Sequence, residues 1–211
     1  MWISEIKPES KGRCRVCIQG EADFVLYQKE AKQFGLEPGE ELTQEIYEEI
    51  LKQVLVPRAK KRAMHILERM DQTESQLRQK LERGTYPPEA VEEAVSYVSS
   101  FHYLDDERFC KNYIRCYQES RSRLRISRDL AAKGADRDLV QRCLEEEYEA
   151  SERDQIRRLL EKKGYRDSGI TRKERDKLYR FLMQRGFSAQ DIRSVLFEDC
   201  YEYDTDYDRN A

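Results

Sequence analysis

Helix-breaking residues are scarce in this sequence, which has nine glycines and five prolines among 211 residues. That scarcity excludes collagen-like and low-complexity chains, and the periodic recurrence of apolar residues excludes a fully disordered one. No run approaches the roughly 18 apolar residues that a membrane span needs. The N-terminus, Met1-Trp2-Ile3-Ser4-Glu5, lacks the basic-then-apolar layout of a signal peptide, so a cytoplasmic chain with no membrane partner is expected. Gly-rich phosphate loops, GxGxxG and GxSxG elbows are absent, and no segment sets a nucleophile beside a base in recognisable order. What is abundant is charge: 38% of residues, against about 25% in ordinary domains, yet the net charge is only -3.

The chemistry of metals and thiols finds little support. There are six cysteines, at 14, 17, 110, 116, 143 and 200, and only two histidines, His65 and His102. Cys14-Arg-Val-Cys17 has no second pair to complete four ligands, and on a strand positions 14 and 17 point to opposite faces. In a reducing compartment these are thiols rather than a disulfide framework. Cys110, Cys116 and Cys143 fall in helical runs and read as small buried hydrophobes. The acidic triplet Asp105-Asp106-Glu107 reads as the N-cap and first turn of a helix, where negative charge meets the positive end of the dipole. No cofactor and no metal are expected.

Residues 1–36 carry short β-branched or aromatic runs, Trp2 to Lys7, Arg13 to Ile18 and Phe24 to Tyr27, split by turn residues, which fits a small antiparallel sheet. Thr43 opens a helical run through Ile46, Ile50, Val54 and Leu55, and Pro57 is expected to kink or split it. The expected organisation is a strand-rich extension over 1–42, a connecting helix over 43–57, helical repeats over 58–104, 105–149 and 150–200, and an acidic tail over 201–211.

The repeats are visible as three superposable segments: Arg78-Gln-Lys-Leu81-Glu-Arg83-Gly84, Arg128-Asp-Leu130-Ala-Ala-Lys133-Gly134 and Arg180-Phe-Leu182-Met-Gln-Arg185-Gly186. In each, a cation sits at the negative end of a short helix and a glycine able to go left-handed stops it. A new N-terminus follows, at Pro87-Pro88, Asp136 and Ser188. Thr73-Glu-Ser-Gln76 and Thr171-Arg-Lys-Glu174 have capping-box spacing, which the second repeat lacks. Each repeat begins with a longer helix: Arg58 to Met70, Asp105 to about Arg121 with Phe109, Tyr113 and Tyr117 on one stripe, and Ala150 to Lys163. The expected fold is therefore all-α, three tandem three-helix repeats in an elongated curved array behind the β-rich extension. Such an array needs no partner to close its core, which points to a monomer.

Charge is segregated. Residues 111–133 carry seven bases against two acids, and 57–83 carry eight bases against four, whereas 37–49 holds six glutamates and 198–208 six acids, with no base in either. Basic residues of successive repeats can line a face for a polyanion, either nucleic acid or a protein wrapped around it. For any single arginine the favoured reading is instead a solvated helix face with i,i+4 pairs such as Glu107 with Lys111 or Asp154 with Arg158. For the cluster Arg121, Arg123, Arg125 and Arg128 the functional reading is favoured, since clustered like charges need compensation. A helix-turn-helix reading finds no base-reading side chains early in the candidate recognition helices, where 88–91 is Pro-Glu-Ala-Val and 138–141 is Asp-Leu-Val-Gln.

The unit Phe101-His-Tyr-Leu-Asp-Asp-Glu-Arg-Phe-Cys-Lys-Asn-Tyr, with Arg-Ile-Ser-Arg-Asp-Leu-Ala-Ala-Lys-Gly after it, resembles the central repeat of the RecX family, regulators of the RecA recombinase. Thr73-Glu-Ser-Gln-Leu-Arg-Gln-Lys-Leu-Glu-Arg-Gly and Lys177-Leu-Tyr-Arg-Phe-Leu-Met-Gln-Arg-Gly-Phe-Ser resemble the flanking repeats in order. The sequence departs from the family at Ala135-Asp136, where a large apolar residue is more usual, and in the irregular join Lys162 to Gly169. The resemblance implies a non-enzymatic modulator that binds the RecA filament on single-stranded DNA and limits its growth, ATP hydrolysis, strand exchange and co-protease activity, and so acts on DNA repair and the SOS response. The contact candidates are Arg78, Lys80, Arg83, Lys111, Arg115, Arg121, Arg123, Arg125, Arg128, Lys133, Arg180 and Arg185. The alternative is a sequence-independent nucleic-acid-binding helical module, and weak direct DNA binding is compatible with either.

Overall fold

The computed structural model describes residues 1–165 and 171–196; the acidic tail, Cys200 and much of the join after Lys162 lie outside the described residues. The fold is mainly helical, with three three-helix units behind a small antiparallel sheet. Two compact units meet in sequence between Asp106 and Glu107.

The first unit starts with β1 (Ile3–Pro8), β2 (Arg13–Ile18) and β3 (Phe24–Tyr27) in the order β1-β2-β3. On β2, Cys14, Val16 and Ile18 are buried while Arg13, Arg15 and Cys17 are not, so the two cysteines do face opposite ways. Val16 lies between Ile6 and Phe24, which fixes the register through the buried face. After α1 (Gln28–Gln33), the Thr43 hydroxyl accepts the Ile46 N–H and caps α2 (Gln44–Ile50).

Pro57 does not split the run that α2 begins. A π-helical turn, Leu51–Leu55, leads into α3 (Val56–Arg69), and the Val56 N–H reaches back five residues to the Leu51 carbonyl. Backbone torsions at Ile50, Leu51, Leu55 and Val56 are all right-handed. The wider turn just before the proline makes room for its ring, and its missing N–H falls in the first turn of α3, where no donor is required. Then come α4 (Glu74–Glu82) and α5 (Pro88–Ser100). Sheet and helices share one core that includes Phe24, Leu42, Ile50, Leu77, Leu81 and Val98. Ala59 and Ala63 on α3 and Ala90 and Ala94 on α5 are wholly buried, and these small side chains let the two helices pack closely.

The second unit holds α6 (Asp106–Tyr117, whose first residue closes the first unit), α7 (Arg123–Ala132), α8 (Arg137–Glu147), α9 (Glu152–Lys162), α10 (Arg172–Gln184) and α11 (Ala189–Leu196). Ile114, Ile126, Leu130 and Leu144 centre one core, and Ile156, Leu178, Leu182 and Ile192 the other. Helix α6 stops at Tyr117, short of the expected Arg121, because the N–H groups of Ser120 and Arg121 both turn back to the Tyr117 carbonyl. Cys110 and Cys143 are buried as expected, but Cys116 is exposed: it lies two residues from the buried Ile114 on the opposite side of α6.

Each short helix ends in the same hydrogen-bond pattern. Ala135 N–H reaches the Leu130 carbonyl and Gly134 the Ala131 carbonyl; Phe187 and Gly186 repeat this on Leu182 and Met183. In the first repeat the corresponding donors are Tyr86 and Thr85, on Leu81 and Glu82. The left-handed residue there is Thr85 (φ 59°), not Gly84, so the expectation for that glycine is corrected by one position. Gly84 serves packing instead: a Cβ on it would sit 3.0 Å from the Leu81 carbonyl oxygen and 3.1 Å from the Tyr86 ring. Tyr86, Ala135 and Phe187 hold equivalent places, so the departure at Ala135 is a small residue where its counterparts plug the core with a ring.

Candidate polyanion interface

A cation draws a polyanion only to the extent that the protein has not already neutralised it. On that criterion the twelve residues singled out by sequence separate into groups. Arg78 is held by Glu74 and Glu92, both at 2.7 Å, and ties α4 to α5. Lys111 bridges Glu107 (2.6 Å) and Glu146 (2.9 Å), and Arg115 forms a two-pronged pair with Glu147 at 2.6 and 2.7 Å, both joining α6 to α8. Glu107 and Glu146 hold the Lys111 ammonium above the usual lysine range, and the Arg115 guanidinium holds Glu147 below the usual carboxylate range. Lys80 donates to the buried Gln72 side chain at 2.7 Å.

Arg121 is built into the fold. Its guanidinium donates to Asp129 (2.7 Å) and the Tyr113 hydroxyl (2.6 Å) and lies 4.0 Å above the Tyr117 ring. Arg125 pairs with the same Asp129 at 3.1 Å. The Lys133 ammonium lies 5.5 Å over the Tyr113 ring. Arg83, Arg123, Arg128, Arg180 and Arg185 make no ion pair among the described residues. Arg180 donates to the Asp176 backbone, and Arg185 shares the Phe181 ring with Lys163 at 4.5 and 4.3 Å. Of the two i,i+4 pairs expected from sequence, Glu107 with Lys111 forms. Asp154 instead pairs with Arg157, and Arg158 with Glu119.

Three of the twelve residues converge. Arg121, Arg125 and Arg185 line a concavity of about 390 Å³ with Ser120, Ser122 and Gln184, and no acid among the described residues lines it. One carboxylate, Asp129, serves two guanidiniums there, so the hollow stays cationic. Arg123 leaves α7 elsewhere, beside a second concavity of about 800 Å³ where Leu124 and Met183 are exposed. Sequence periodicity did not single out that apolar pair.

The geometry of this surface rests on Ser122 and Glu152. The Ser122 hydroxyl, 1% exposed, accepts the Arg125 N–H at 3.2 Å and donates to the Arg185 carbonyl at 2.8 Å. Gly186, at φ 86°, lies so near that a Cβ would be 2.8 Å from the Ser122 oxygen. The Glu152 carboxylate accepts the Arg123 N–H at 2.7 Å, satisfying another open donor at the start of α7. Tyr148 donates to the Arg121 carbonyl at 3.4 Å and receives the Gln155 amide at 2.9 Å, and burial pushes its hydroxyl up to about 12.

The sequence reading counted Arg62 and Arg69 among the bases of 57–83 but did not name them as contacts. The structure places them with His65 along one face of α3, beside a concavity of about 500 Å³ that Lys80 and Arg83 also line. The signal was the i, i+3, i+7 spacing. At the start of α5, Ala90 and Val91 are buried and the exposed residues are Pro88 and Glu89, neither of them an arginine, asparagine or glutamine. Among the described residues no cluster of histidine, cysteine and carboxylate side chains could hold a metal, and no helix is long and apolar enough to cross a membrane.

Family models match three segments in order: the first three-helix domain of RecX over 59–97, the second over 105–144 and the third over 151–196. The chain is 31% identical over 193 residues to the regulatory protein RecX of Caldanaerobacter subterraneus subsp. tengcongensis, covering 90% of this chain and 95% of that one. It is 24% identical over 200 residues to the regulatory protein RecX of Clostridium acetobutylicum, covering 92% and 93%. A crystal structure of regulatory protein RecX superposes with a TM-score of 0.62 at 23% identity, over 93% of this chain and 98% of that one. The crystal structure of RecX from Lactobacillus salivarius gives 0.56 at 16% identity, over 68% and 95%. Three ordered domains and a relative of this identity along nearly the whole length lead to one conclusion: the chain belongs to the RecX family of regulatory proteins.

Proposed function

We propose that this chain is a non-enzymatic modulator that binds the RecA filament on single-stranded DNA and limits its growth, ATP hydrolysis and strand exchange, thereby regulating recombinational DNA repair and the SOS response. The observation that carries this reading is the ordered set of three RecX domains. The charge arrangement supports it: among the described residues Arg123, Arg128, Arg180 and Arg185 make no ion pair, while cations such as Arg78 and Arg115 join helices. A few unneutralised arginines on a chain of net charge -3 suit a shaped target more than indiscriminate attachment to nucleic acid.

The test is steady-state ATP hydrolysis by RecA on single-stranded DNA with the protein added from sub-stoichiometric to equimolar amounts. The reading expects progressive inhibition, and an unchanged rate with unchanged filament stability contradicts it. The second reading, a sequence-independent nucleic-acid-binding module, draws on the cationic concavity at Arg121, Arg125 and Arg185. Binding to bare oligonucleotides at physiological salt as tight as to the filament would favour it.

A further inference from the structure

The groove between α3 and the end of α4 combines two features. Arg62, His65, Arg69, Lys80 and Arg83 all line it, and no carboxylate among the described residues does. Its floor is apolar, with Ile66 buried and Met70, 69% exposed, at one end. Arg62, Arg69 and Arg83 make no ion pair among the described residues, although Arg83 also borders a neighbouring hollow that Glu21, Asp23 and Glu82 line.

Helix termini account for part of this charge. α3 ends at Arg69 and α4 is capped by Arg83, and the negative end of each helix amounts to roughly half an elementary charge. Two such ends offset about one of the four permanent cations, and Glu68, 3.7 Å from His65, offsets about one more. An excess of about two positive charges stays open to solvent beside apolar surface.

We infer that this groove binds a short acidic polypeptide segment carrying an apolar anchor. Arg62 and Arg69 stand seven residues apart on one helix face, about 10 Å along the axis. A segment in the polyproline II conformation, with three residues per turn and about 3.1 Å per residue, puts carboxylates three residues apart on one side at about the same distance. Guanidinium forks take carboxylates in two-pronged fashion, and Met70 with Ile66 offers an adaptable seat for an aliphatic side chain between them. A nucleic-acid strand is less well served, because no aromatic side chain lines the groove to stack a base. The inference is independent of the filament reading and concerns only what the first repeat accepts.

The test uses the full chain in fluorescence-anisotropy titrations with a labelled peptide repeating Glu-Glu-Leu and, separately, labelled oligothymidylate. The double substitution Arg62→Ala/Arg69→Ala should weaken peptide binding about tenfold, the scale of two lost charge-assisted contacts at an exposed site. Lys52→Ala/Lys61→Ala removes the same charge from exposed positions outside the groove and should leave peptide affinity within about twofold. Replacing Leu by Ser in the peptide should also weaken binding. Circular dichroism of both variants should match the unsubstituted chain, since none of the four side chains makes a hydrogen bond or ion pair among the described residues. No peptide binding, or equal losses in the two double variants, overturns the inference. Loss of oligothymidylate affinity in Arg62→Ala/Arg69→Ala with no effect on the peptide also overturns it and makes the groove a phosphate site.

Discussion

The Glu152 carboxylate accepts the backbone N–H of Arg123 at 2.7 Å, and the Asp106 carboxylate accepts that of Glu74 at 2.8 Å. The two bonds are equivalent: an acid in the first turn of a long helix closes the open N-terminus of the preceding short one, beside a buried hydroxyl cap, Ser122 or Thr73. Glu152→Ala should cost about 1 kcal/mol in chemical denaturation, as loss of a helix cap does, while Glu152→Gln keeps the acceptor. Burial raises the Glu152 carboxyl above the ordinary glutamate value, with the bond from Arg123 opposing the shift. A raised carboxyl keeps its proton longer in the folded state. The unsubstituted chain should therefore lose stability relative to Glu152→Gln as pH rises from the ordinary glutamate value through the raised one, and show no such difference below it. The opposite slope would mean that the carboxylate is better solvated than the structure shows.

Gly186→Ala should be strongly destabilising. The position combines a left-handed backbone with a Cβ clash on the Ser122 oxygen, itself fixed by bonds to Arg125 and Arg185. The two penalties together are of order 2–4 kcal/mol, read as a fall in thermal midpoint.

Thr85→Gly should act in the other direction. Thr85 is the left-handed residue where the equivalent positions carry Gly134 and Gly186, so glycine relieves about 1 kcal/mol of backbone strain, less part of its added unfolded-state entropy. A lower midpoint would show that the threonine side chain makes up for its strained backbone.

These positions mark what the sequence made legible. Strand alternation at Cys14, Val16 and Ile18, the Thr73 and Thr171 caps and the three-unit periodicity follow from local rules, and the structure has them. The glycine register in the first repeat was misjudged by one residue because Arg83-Gly84-Thr85 offers two candidates for the turn, and only the fit of Gly84 beneath Tyr86 decides between them. The interface was less legible. Whether an arginine is free depends on acids 14 to 32 positions away, such as Glu92 for Arg78 and Glu147 for Arg115, which no short-range pattern reveals. For the same reason, the acid triplet at 105–107 read as capping its own helix, whereas Asp106 also closes α4.

Single substitutions can separate structural from binding arginines. Arg78→Ala and Arg115→Ala should lower the thermal midpoint by a few degrees, since each strands carboxylates across a helix pair. Arg123→Ala/Arg128→Ala should leave the midpoint within about a degree, because neither side chain makes an ion pair among the described residues. Arg121→Ala, which takes from Asp129 one of its two guanidinium partners, from the Tyr113 hydroxyl its donor and from the Tyr117 ring its cation, should destabilise, so the whole 121–128 cluster cannot be neutralised without a structural cost.

The most direct measurement is RecA ATP hydrolysis on single-stranded DNA with the unsubstituted chain and Arg123→Ala/Arg128→Ala compared at equal concentration. The account predicts inhibition by the former and a dose–response displaced by about tenfold for the latter, at unchanged thermal midpoint. Equal inhibition by the two would remove α7 from the interface, and no inhibition by either would contradict the proposed function itself.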